Sequence, residues 1–325
     1  MAKDVSVIIP TFQRTALLSR CLEALVAQDF EGAYEIIVVS DGEDVSTQQL
    51  CKKFTDLYPL KSISFTYLKK QSGPAAARNE GVRFSSGKLI AFTDDDTIPS
   101  PAWLSSFYKA FQKVNEPLIA FSGQVVVPHN KTPSDWEKNI SQLESAEFVT
   151  ANCAISKPAF IKCGGFDEMF TMAWREDSDL HFKLLENDIP ILKVPEAMVT
   201  HPVRHAPWGI SLLNEKKNMF NSLLYKRHPK LYKQKIGATP KWNYYAINLL
   251  LLLQVYSLLT GRKWLFTASL GAWGLLIAEF TYRRLKGTSR DKEHVAEMIA
   301  TSALIPCVAV YWKIYGSLKF KQLLL

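Results

Sequence analysis

Cysteine pairs are absent from this chain. Its 325 residues include five cysteines, an odd number, and no two of them have the Cys-x-x-Cys spacing. These absences argue against a zinc site and against a disulfide framework, and they fit a reducing compartment. A secretory signal is lacking as well, because residues 1–4 lead into an apolar run that is too short for one. We therefore expect the N-terminal part of the chain to lie in the cytoplasm.

Acidic residues are missing from residues 216–241, although this stretch contains eight lysines and arginines. Its charge equals the formal net charge of the whole chain, which is +8 at pH 7. Basic proteins can bind nucleic acid. A basic stretch that directly precedes an apolar one is more typical of the anionic surface of a membrane. Because residues 208–232 carry apolar pairs at helical spacing, we expect a basic amphipathic helix on a membrane and no nucleic-acid partner.

Charged residues are absent again from residues 242–260, which include five consecutive leucines, and residues 264–282 are nearly free of charge. A transmembrane helix needs about 20 apolar residues, and both stretches nearly reach that length. The short connector between them predicts a helical hairpin. A third apolar stretch, residues 295–312, is interrupted by a glutamate and a proline and could span the membrane, dip into it or lie flat on it.

The N-terminal part of the chain alternates β-branched runs with helical patterns. Strands are predicted at residues 5–11, 34–40, 63–68 and 88–93, with helices at residues 15–28, 46–58 and from residue 73. Further strands are predicted at residues 125–128 and 148–155. Such alternation predicts an α/β fold with a mostly parallel sheet and right-handed crossovers.

Three consecutive aspartates, Asp94, Asp95 and Asp96, follow the fourth predicted strand. Adjacent carboxylates repel one another, so their collection at one strand end indicates a cationic ligand. Mg²⁺ and Mn²⁺ prefer carboxylate oxygens, and the carboxyl ends of strands are where open α/β sheets bind ligands. A polar turn that caps the next helix is the alternative, and both interpretations can hold together.

Several short motifs occur in a fixed order along the first part of the chain. They are Pro10-Thr11, Val39-Ser40-Asp41-Gly42, Ala77-Arg78-Asn79, the triple aspartate, Gly164-Gly165-Phe166-Asp167-Glu168 and Arg175-Glu176-Asp177-Ser178-Asp179. Each motif alone is a weak signal, but the ordered set resembles the family 2 glycosyltransferases, which are inverting enzymes with the GT-A nucleotide-sugar fold. The resemblance covers residues 1–205.

The resemblance implies a nucleotide-sugar donor and a divalent metal, either Mn²⁺ or Mg²⁺. Asp96 would be the direct metal ligand. Asp94 or Asp95 would reach the ribose or the metal, and the sequence does not separate these two residues. His201 would supply an extra metal or phosphate contact, although a structural histidine is the commoner state.

Four further residues would contact the donor by the same resemblance. Pro10 and Thr11 would cradle the nucleobase with backbone groups, and Asp41 would accept a hydrogen bond from a ring N–H. The alternative for Asp41 is an Asp-Gly turn that needs no ligand. Arg78 would lie near the diphosphate or the base. Its alternative is a solvated arginine, which is electrostatically unfavourable in the first turn of a helix.

A second carboxylate centre is expected at Glu176 and Asp177. Inversion needs a carboxylate that deprotonates the acceptor hydroxyl, and the family has its base in this motif. We choose Asp177 over Glu176 as this base. The alternative is that Asp177 or Ser178 begins a helix over residues 179–186 as its N-cap. Asn152 is a further candidate for a contact with the donor sugar.

These interpretations divide the chain into three parts. Residues 1–206 would form the GT-A domain, residues 207–241 the basic juxtamembrane helix, and residues 242–325 a membrane segment with two or three helices. We expect a multi-pass protein of the cell inner membrane with a cytoplasmic catalytic domain, since nucleotide sugars are cytosolic. The acceptor would be a lipid-linked sugar or a growing glycan of the cell envelope, as in polysaccharide biosynthesis.

Two other functions fit the sequence less well. A processive polysaccharide synthase normally has more membrane helices and a Gln/Arg-x-x-Arg-Trp motif, which this chain lacks. A non-catalytic membrane scaffold would have lost its acidic centres, whereas both are present here. The sequence carries no signal for the oligomeric state.

Overall fold

The computed structural model describes residues 3–324, which form two compact units. The first unit comprises residues 3–128 and 141–203. The second comprises residues 129–140 and 204–324. A short internal segment of the chain therefore packs with the C-terminal helices, although it is flanked on both sides by residues of the first unit.

Within the described residues, the first unit is built from eight strands, six α-helices and a 3₁₀ helix (Ser141–Ser145). In chain order they are β1 (Val5–Thr11), α1 (Thr15–Val26), β2 (Tyr34–Ser40), α2 (Val45–Leu57), β3 (Ser62–Tyr67), α3 (Pro74–Phe84), β4 (Leu89–Thr93), β5 (Ile98–Pro99), α4 (Trp103–Lys113), β6 (Ala120–Val126), β7 (Asn152–Ser156), α6 (Lys157–Lys162), α7 (Glu176–Glu186) and β8 (Ile191–Thr200). The label α5 belongs to Asp135–Ile140, a helix of the second unit.

The eight strands form one sheet in the order β3-β2-β1-β4-β7-β6-β8-β5. β3, β2, β1 and β4 are parallel neighbours, and β6 is parallel to β8. β7 runs antiparallel to both β4 and β6, and β5 runs antiparallel to β8. The sheet is therefore mixed. Its parallel half consists of the first four strands, where the alternating pattern predicted them.

The core of this unit explains why its first strands are continuous apolar runs. Strands inside a parallel sheet are covered on both faces, and β1 and β4 are buried along their whole length. Ile8, Ile37 and Phe92 belong to one buried cluster. Gly81 of α3 packs directly on Ile8, because a Cβ at this position would collide with the isoleucine side chain. Because β1, β2 and β4 are parallel, their carboxyl ends meet at one edge of the sheet.

Two predicted strands differ from the observed ones. β6 begins at Ala120 and ends at Val126, whereas the expected strand covered residues 125–128. Polar residues and Gly123 interrupt its apolar pattern, and Gly123 is needed because a Cβ there would collide with Asn152 and Ala197. β7 begins at Asn152 rather than at residue 148. The residues before it lie in a loop, so the apolar run extends beyond the strand.

The second unit is almost entirely helical. Besides α5, its elements are α8 (Ile210–Asn214), a 3₁₀ helix (Glu215–Asn218), α9 (Met219–Arg227), α10 (Pro229–Leu231), a π-helix (Tyr232–Ile236), α11 (Trp242–Leu259), α12 (Lys263–Leu285) and α13 (Lys292–Lys319). The single amphipathic helix expected over residues 208–232 is therefore wrong. One reason is Pro229, which lacks the N–H that a continuous helix needs.

The apolar side of this segmented stretch faces the inside of the unit. Met219, Phe220, Leu223 and Leu224 of α9 are buried. Gly316 of α13 approaches the backbone of Met219 so closely that a Cβ would collide with it. Most of the basic residues are exposed, as are Trp208 and Leu213 of the same stretch.

The apolar stretches form three long helices. α11 and α12 pack against each other as the expected hairpin, joined by a turn at Gly261, whose φ is +69°. Within the described residues, α12 and α13 are long and apolar enough to cross a membrane, whereas α11, expected as a span over residues 242–260, is not. The stretch expected to be the weakest is thus one continuous helix of 28 residues with Pro306 inside it. Asn248 of α11 donates a hydrogen bond to the carbonyl of Pro306 at 3.1 Å.

Arg284 at the end of α12 fastens the internal segment to the C-terminal helices. Its guanidinium donates to Asp135 of α5 at 2.9 Å, to Thr301 at 2.6 Å and to Ser302 at 3.1 Å. The side chain of Arg284 is only 9% exposed. A buried charge is costly unless it is paired and hydrogen-bonded, and these contacts meet that condition.

We expect Arg284→Met to lower the free energy of unfolding by about 3 kcal/mol, because the partly buried Asp135 loses its partner. Thermal or denaturant unfolding of the purified protein measures this loss. Arg283→Met is the matched control, since the exposed Arg283 pairs with Glu279 within one helix and should contribute at most about 0.5 kcal/mol. Equal losses for the two variants would contradict the role given to Arg284.

Candidate active site

The triple aspartate lies in the turn after β4, and its side chains point in different directions. The hydroxyl of Thr11 donates to Asp95 at 2.6 Å, and Arg14 pairs with Asp95 at 3.2 Å. Burial raises the pKa of Asp95 to about 6 even though Arg14 and Thr11 favour its charged form. Asp95 thus joins the ends of β1 and β4 inside the protein, and its carboxylate is turned away from those of its two neighbours.

Asp94 and Asp96 converge with His201, which follows β8. One ligand atom from each of these three residues lies within 4.8 Å of the others. His201 is held by its backbone N–H, which donates to the carbonyl of Val126 at 2.8 Å. Its Nε2 lies 3.6 Å from Asp96 Oδ1. Its Nδ1 is buried and has no hydrogen-bond partner among residues 3–324.

The donor set of this cluster fits a divalent cation. Two carboxylates and one imidazole supply oxygen and nitrogen ligands of the kind that first-row divalent metals accept. Three protein ligands also leave coordination positions for water or substrate oxygens. The structure therefore brings together the three residues that the sequence named as metal ligands, and it leaves Asp95 out of the group.

Arg78 joins this cluster to the second carboxylate centre. It lies on α3 and is 2% exposed, which rules out the solvated alternative. One guanidinium nitrogen donates to Asp94 at 2.6 Å and the other to Glu176 at 3.3 Å. The ring of Phe166 lies 5.6 Å from the guanidinium carbon, measured to the ring centroid. Burial alone would raise the pKa of Asp94, but the charge and hydrogen bond of Arg78, together with the charges of His201 and Arg14, outweigh burial and lower that pKa.

Glu176 and Asp177 open α7, and the backbone before them is strained. Arg175 has a φ of +75°, in the left-handed region that a residue with a side chain adopts at a cost. The helix begins at Glu176, not at residue 179, so Asp177 lies in its first turn and is not the N-cap. The positive end of the helix dipole favours carboxylates at this position.

The two carboxylates differ in their surroundings. Burial, together with the charge of Asp177, raises the pKa of Glu176 to about 7. Its Oε2 is buried without a hydrogen-bond partner in the described part of the chain. Asp177 is half-buried, and its Oδ1 accepts the N–H of Ser178 at 2.6 Å. Burial raises its pKa as well. Asp177 is therefore the more accessible of the two acids.

Asp41 lies after β2 and holds the entry to α3. Its carboxylate accepts the backbone N–H of Ser72 at 2.7 Å and that of Gly73 at 3.0 Å. Gly73 has a φ of +92°, and a Cβ there would collide with the backbone of Thr171. Asp41 thus fixes the loop that begins the helix carrying Arg78. Pro10 and Thr11 are the last two residues of β1 and are buried at the same edge of the sheet.

Asn152 does not face the site that the sequence proposed for it. Its Oδ1 accepts the indole N–H of Trp103 at 2.8 Å, and its Nδ2 donates to the carbonyls of Gln124 and Ala197, both at 2.8 Å. These contacts engage both N–H donors of the amide, and the side chain is fully buried, so Asn152 holds strands together as a core residue. The apolar pattern of residues 148–155 does not reveal that Trp103, Gln124 and Ala197 are the partners of Asn152.

Sequence reasoning also missed two supporting residues. Arg14 pairs with Asp95, and Asp44 accepts the N–H of Gln13, which has a φ of +53°. Burial disfavours the charged form of Asp44, but its hydrogen bonds from Thr47, Ser46 and Gln13 outweigh burial and lower its pKa to about 2. The spacing of Asp44 and Thr47 is a capping signal that could have identified this residue.

Comparisons with known proteins show the family of this chain. The model of the family described as "Glycosyl transferase family 2" matches residues 6–171, about half of the chain. Glycosyltransferase AglE from Haloferax volcanii is 26% identical over 147 residues, which are 45% of this chain and 48% of AglE. Chondroitin synthase from Escherichia coli is 26% identical over 274 residues, 71% of this chain and 39% of the synthase. This chain therefore matches less than half the length of either relative.

A solved structure shows the same fold. The mannosyltransferase PcManGT from Pyrobaculum calidifontis, in complex with GDP-Man and Mn²⁺, superposes with a TM-score of 0.57 at 14% sequence identity. The superposition covers 99% of this chain and 88% of that protein. The GT-A fold expected from the motifs is thereby confirmed. The family match, the fold and the two acidic centres lead to one conclusion: this chain is a glycosyltransferase that belongs to glycosyl transferase family 2.

Proposed function

We propose that this protein is a metal-dependent, inverting glycosyltransferase that moves a sugar from a nucleotide-sugar donor to a hydroxyl group. The observation that carries the proposal is the pair of acidic centres at one edge of the sheet, joined by the buried Arg78. One centre has the donor set for a cation, and the other has an accessible carboxylate. A metal-assisted displacement at a sugar carbon needs both.

Asp94, Asp96 and His201 would hold the cation, either Mn²⁺ or Mg²⁺. When bound, it would supply Lewis-acid chemistry by neutralising the charge of the leaving diphosphate. The mixed oxygen and imidazole set favours Mn²⁺ over Mg²⁺, and the structurally similar mannosyltransferase binds Mn²⁺ with GDP-Man. Pro10, Thr11 and Asp41 would contact the nucleobase, since Asp41 keeps lone pairs beyond those used by the loop N–H groups.

Asp177 would act as the general base. It would accept the proton of the acceptor hydroxyl as that oxygen attacks the anomeric carbon, and the product would have inverted configuration. The raised pKa of Asp177 suits this role, because a base is most effective when its pKa lies near the working pH. Glu176 is engaged by Arg78 and is more deeply buried, which supports the choice of Asp177.

The second unit would bind a membrane through α11, α12 and α13. Only 17% of the apolar window of α12 and 33% of that of α13 are buried inside the protein, so most of this surface needs another cover. Leu252, Leu259 and Leu275 are among the exposed side chains. A membrane-bound enzyme suits a lipid-linked acceptor or a growing envelope glycan, with the catalytic unit in the cytoplasm beside its donor.

Polymer synthesis is a second candidate function. The similarity to chondroitin synthase favours it and covers 71% of this chain. Single transfer is the first choice, because the chain lacks the Gln/Arg-x-x-Arg-Trp motif. The length distribution of the products distinguishes the two functions.

We expect EDTA to abolish sugar transfer and Mn²⁺ to restore it. Asp96→Asn should weaken Mn²⁺ binding by about ten-fold or more, because a charged ligand becomes neutral. Calorimetric titration of Mn²⁺ and release of nucleoside diphosphate measure the two effects. Glu80→Gln is the matched control, since Glu80 pairs with Arg83 along α3 and does not contact the cluster. Full activity in chelator would overturn the metal assignment.

We expect Asp177→Asn to lower kcat by about 10²–10⁴-fold while donor affinity stays nearly intact, because a general base is lost. Wild-type activity should fall as the pH drops, since a base with a raised pKa takes up a proton below that pKa and stops working. Steady-state rates over pH 5–9 measure both. If Glu176→Gln is the crippling change and Asp177→Asn is not, the base is Glu176.

We expect detergent, and not high salt, to release the protein from membranes. Salt screens charges over a Debye length of about 8 Å at physiological strength, but it does not extract apolar helices. Fractionation of membranes washed with 1 M NaCl or with detergent, followed by immunodetection, measures this. Complete release by salt would mean that the exposed leucines are covered by protein.

A further inference from the structure

Arg78 pairs with one carboxylate from each of the two acidic centres. A guanidinium has five N–H donors in a planar fork and can serve two carboxylates at once. Arg78 does this with one carboxylate from each centre, at 2.6 Å to Asp94 and 3.3 Å to Glu176. Asp94 and Glu176 are 82 positions apart in the sequence, yet they share this single buried cation.

The shorter of the two Arg78 contacts is the one to Asp94, which belongs to the candidate cation site. The other members of that site are Asp96 and His201. A divalent cation and Arg78 therefore draw on the same carboxylate. A cation that takes the lone pairs of Asp94 leaves more of the guanidinium charge to Glu176, which has a buried oxygen without a partner in residues 3–324.

We propose that Arg78 is a positioning residue that couples the loading of the cation site to the carboxylate pair Glu176-Asp177. This inference rests on the proposed function. Without a cation, Arg78 is shared between the two centres. With a cation, Arg78 pairs more closely with Glu176 and holds it in place beside Asp177. The Glu176-Asp177 pair is then ordered only after the cation has bound.

Thermodynamic reciprocity makes this coupling measurable without any sugar transfer. If the cation strengthens the pairing of Arg78 with Glu176, then Glu176 must strengthen the binding of the cation by the same factor. When the charge of Glu176 is removed, Asp94 is the one of these two carboxylates that still pairs with Arg78 as an anion. Arg78 then competes more strongly with the cation for that carboxylate.

The test is a titration of Mn²⁺ alone into the detergent-solubilised full-length protein, followed by the electron paramagnetic resonance signal of free Mn²⁺. Glu176→Gln should weaken Mn²⁺ binding by about five-fold or more, the lower range of typical allosteric coupling. Asp177→Asn is the matched control, because it removes a neighbouring charge that does not contact Arg78. It should weaken Mn²⁺ binding distinctly less than Glu176→Gln.

A double-mutant cycle decides whether Arg78 carries the effect. In an Arg78→Met background, Glu176→Gln should no longer weaken Mn²⁺ binding, because the shared cation is gone. Arg78→Lys provides a second background if the methionine variant does not fold. Its single ammonium cannot span both carboxylates, so it should also shrink the effect of Glu176→Gln.

Two results would overturn the coupling. One is an equal loss of Mn²⁺ affinity for Glu176→Gln and Asp177→Asn. The other is an effect of Glu176→Gln that persists unchanged without Arg78. Failure of the proposed function looks different: the wild-type protein itself would then bind no Mn²⁺ and transfer no sugar. A merely structural Arg78 would lower thermal stability and leave the Glu176 effect on Mn²⁺ affinity intact.

Discussion

The buried positive charge of Arg78 organises the first unit of the protein. Arg78 is removed from water, and its charge is tolerable only because two carboxylates and an aromatic ring surround it. This requirement fixes three parts of the chain against one another: α3, the turn after β4 and the start of α7. The neighbouring Asn79 adds to this, since it both donates to the carbonyl of Phe166 and accepts the N–H of Phe166 at 3.0 Å. The acidic centres are therefore positioned by pairing and not only by the sheet.

The parallel half of the sheet was predictable because its strands are long apolar runs between helices of regular period. β1 and β2 lie where the pattern put them, since burial on both faces leaves little room for polar residues. β6 was harder to recognise, because Gly123 and the polar residues beside it interrupt the apolar pattern. Gly123 lies so close to Asn152 that no side chain fits there. The single helix expected over residues 208–232 failed for another reason: tertiary packing on α13 decides where those apolar residues go, and periodicity does not show the partner.

The candidate metal ligands could be named from sequence, but their arrangement could not. The motif resemblance singled out Asp96, and the sequence did not separate Asp94 from Asp95. Only the structure shows that Asp95 turns inward to Thr11 and Arg14 while the other two converge with His201. Asn152, a candidate for contact with the donor sugar, is buried and bonded to Trp103 and two carbonyls. Hydrogen-bond partners distant in sequence determine both outcomes.

The internal segment that contains α5 has a consequence for how the chain matures on the ribosome. Asp135 and Arg284 are 149 positions apart, so α5 emerges long before its anchoring partner exists. Local contacts can form during synthesis, whereas contacts of high sequence separation must wait. The strands on either side of the segment can pair while residues 129–140 remain undocked. Completion of the second unit is thus a late event, which waits for the synthesis of α12.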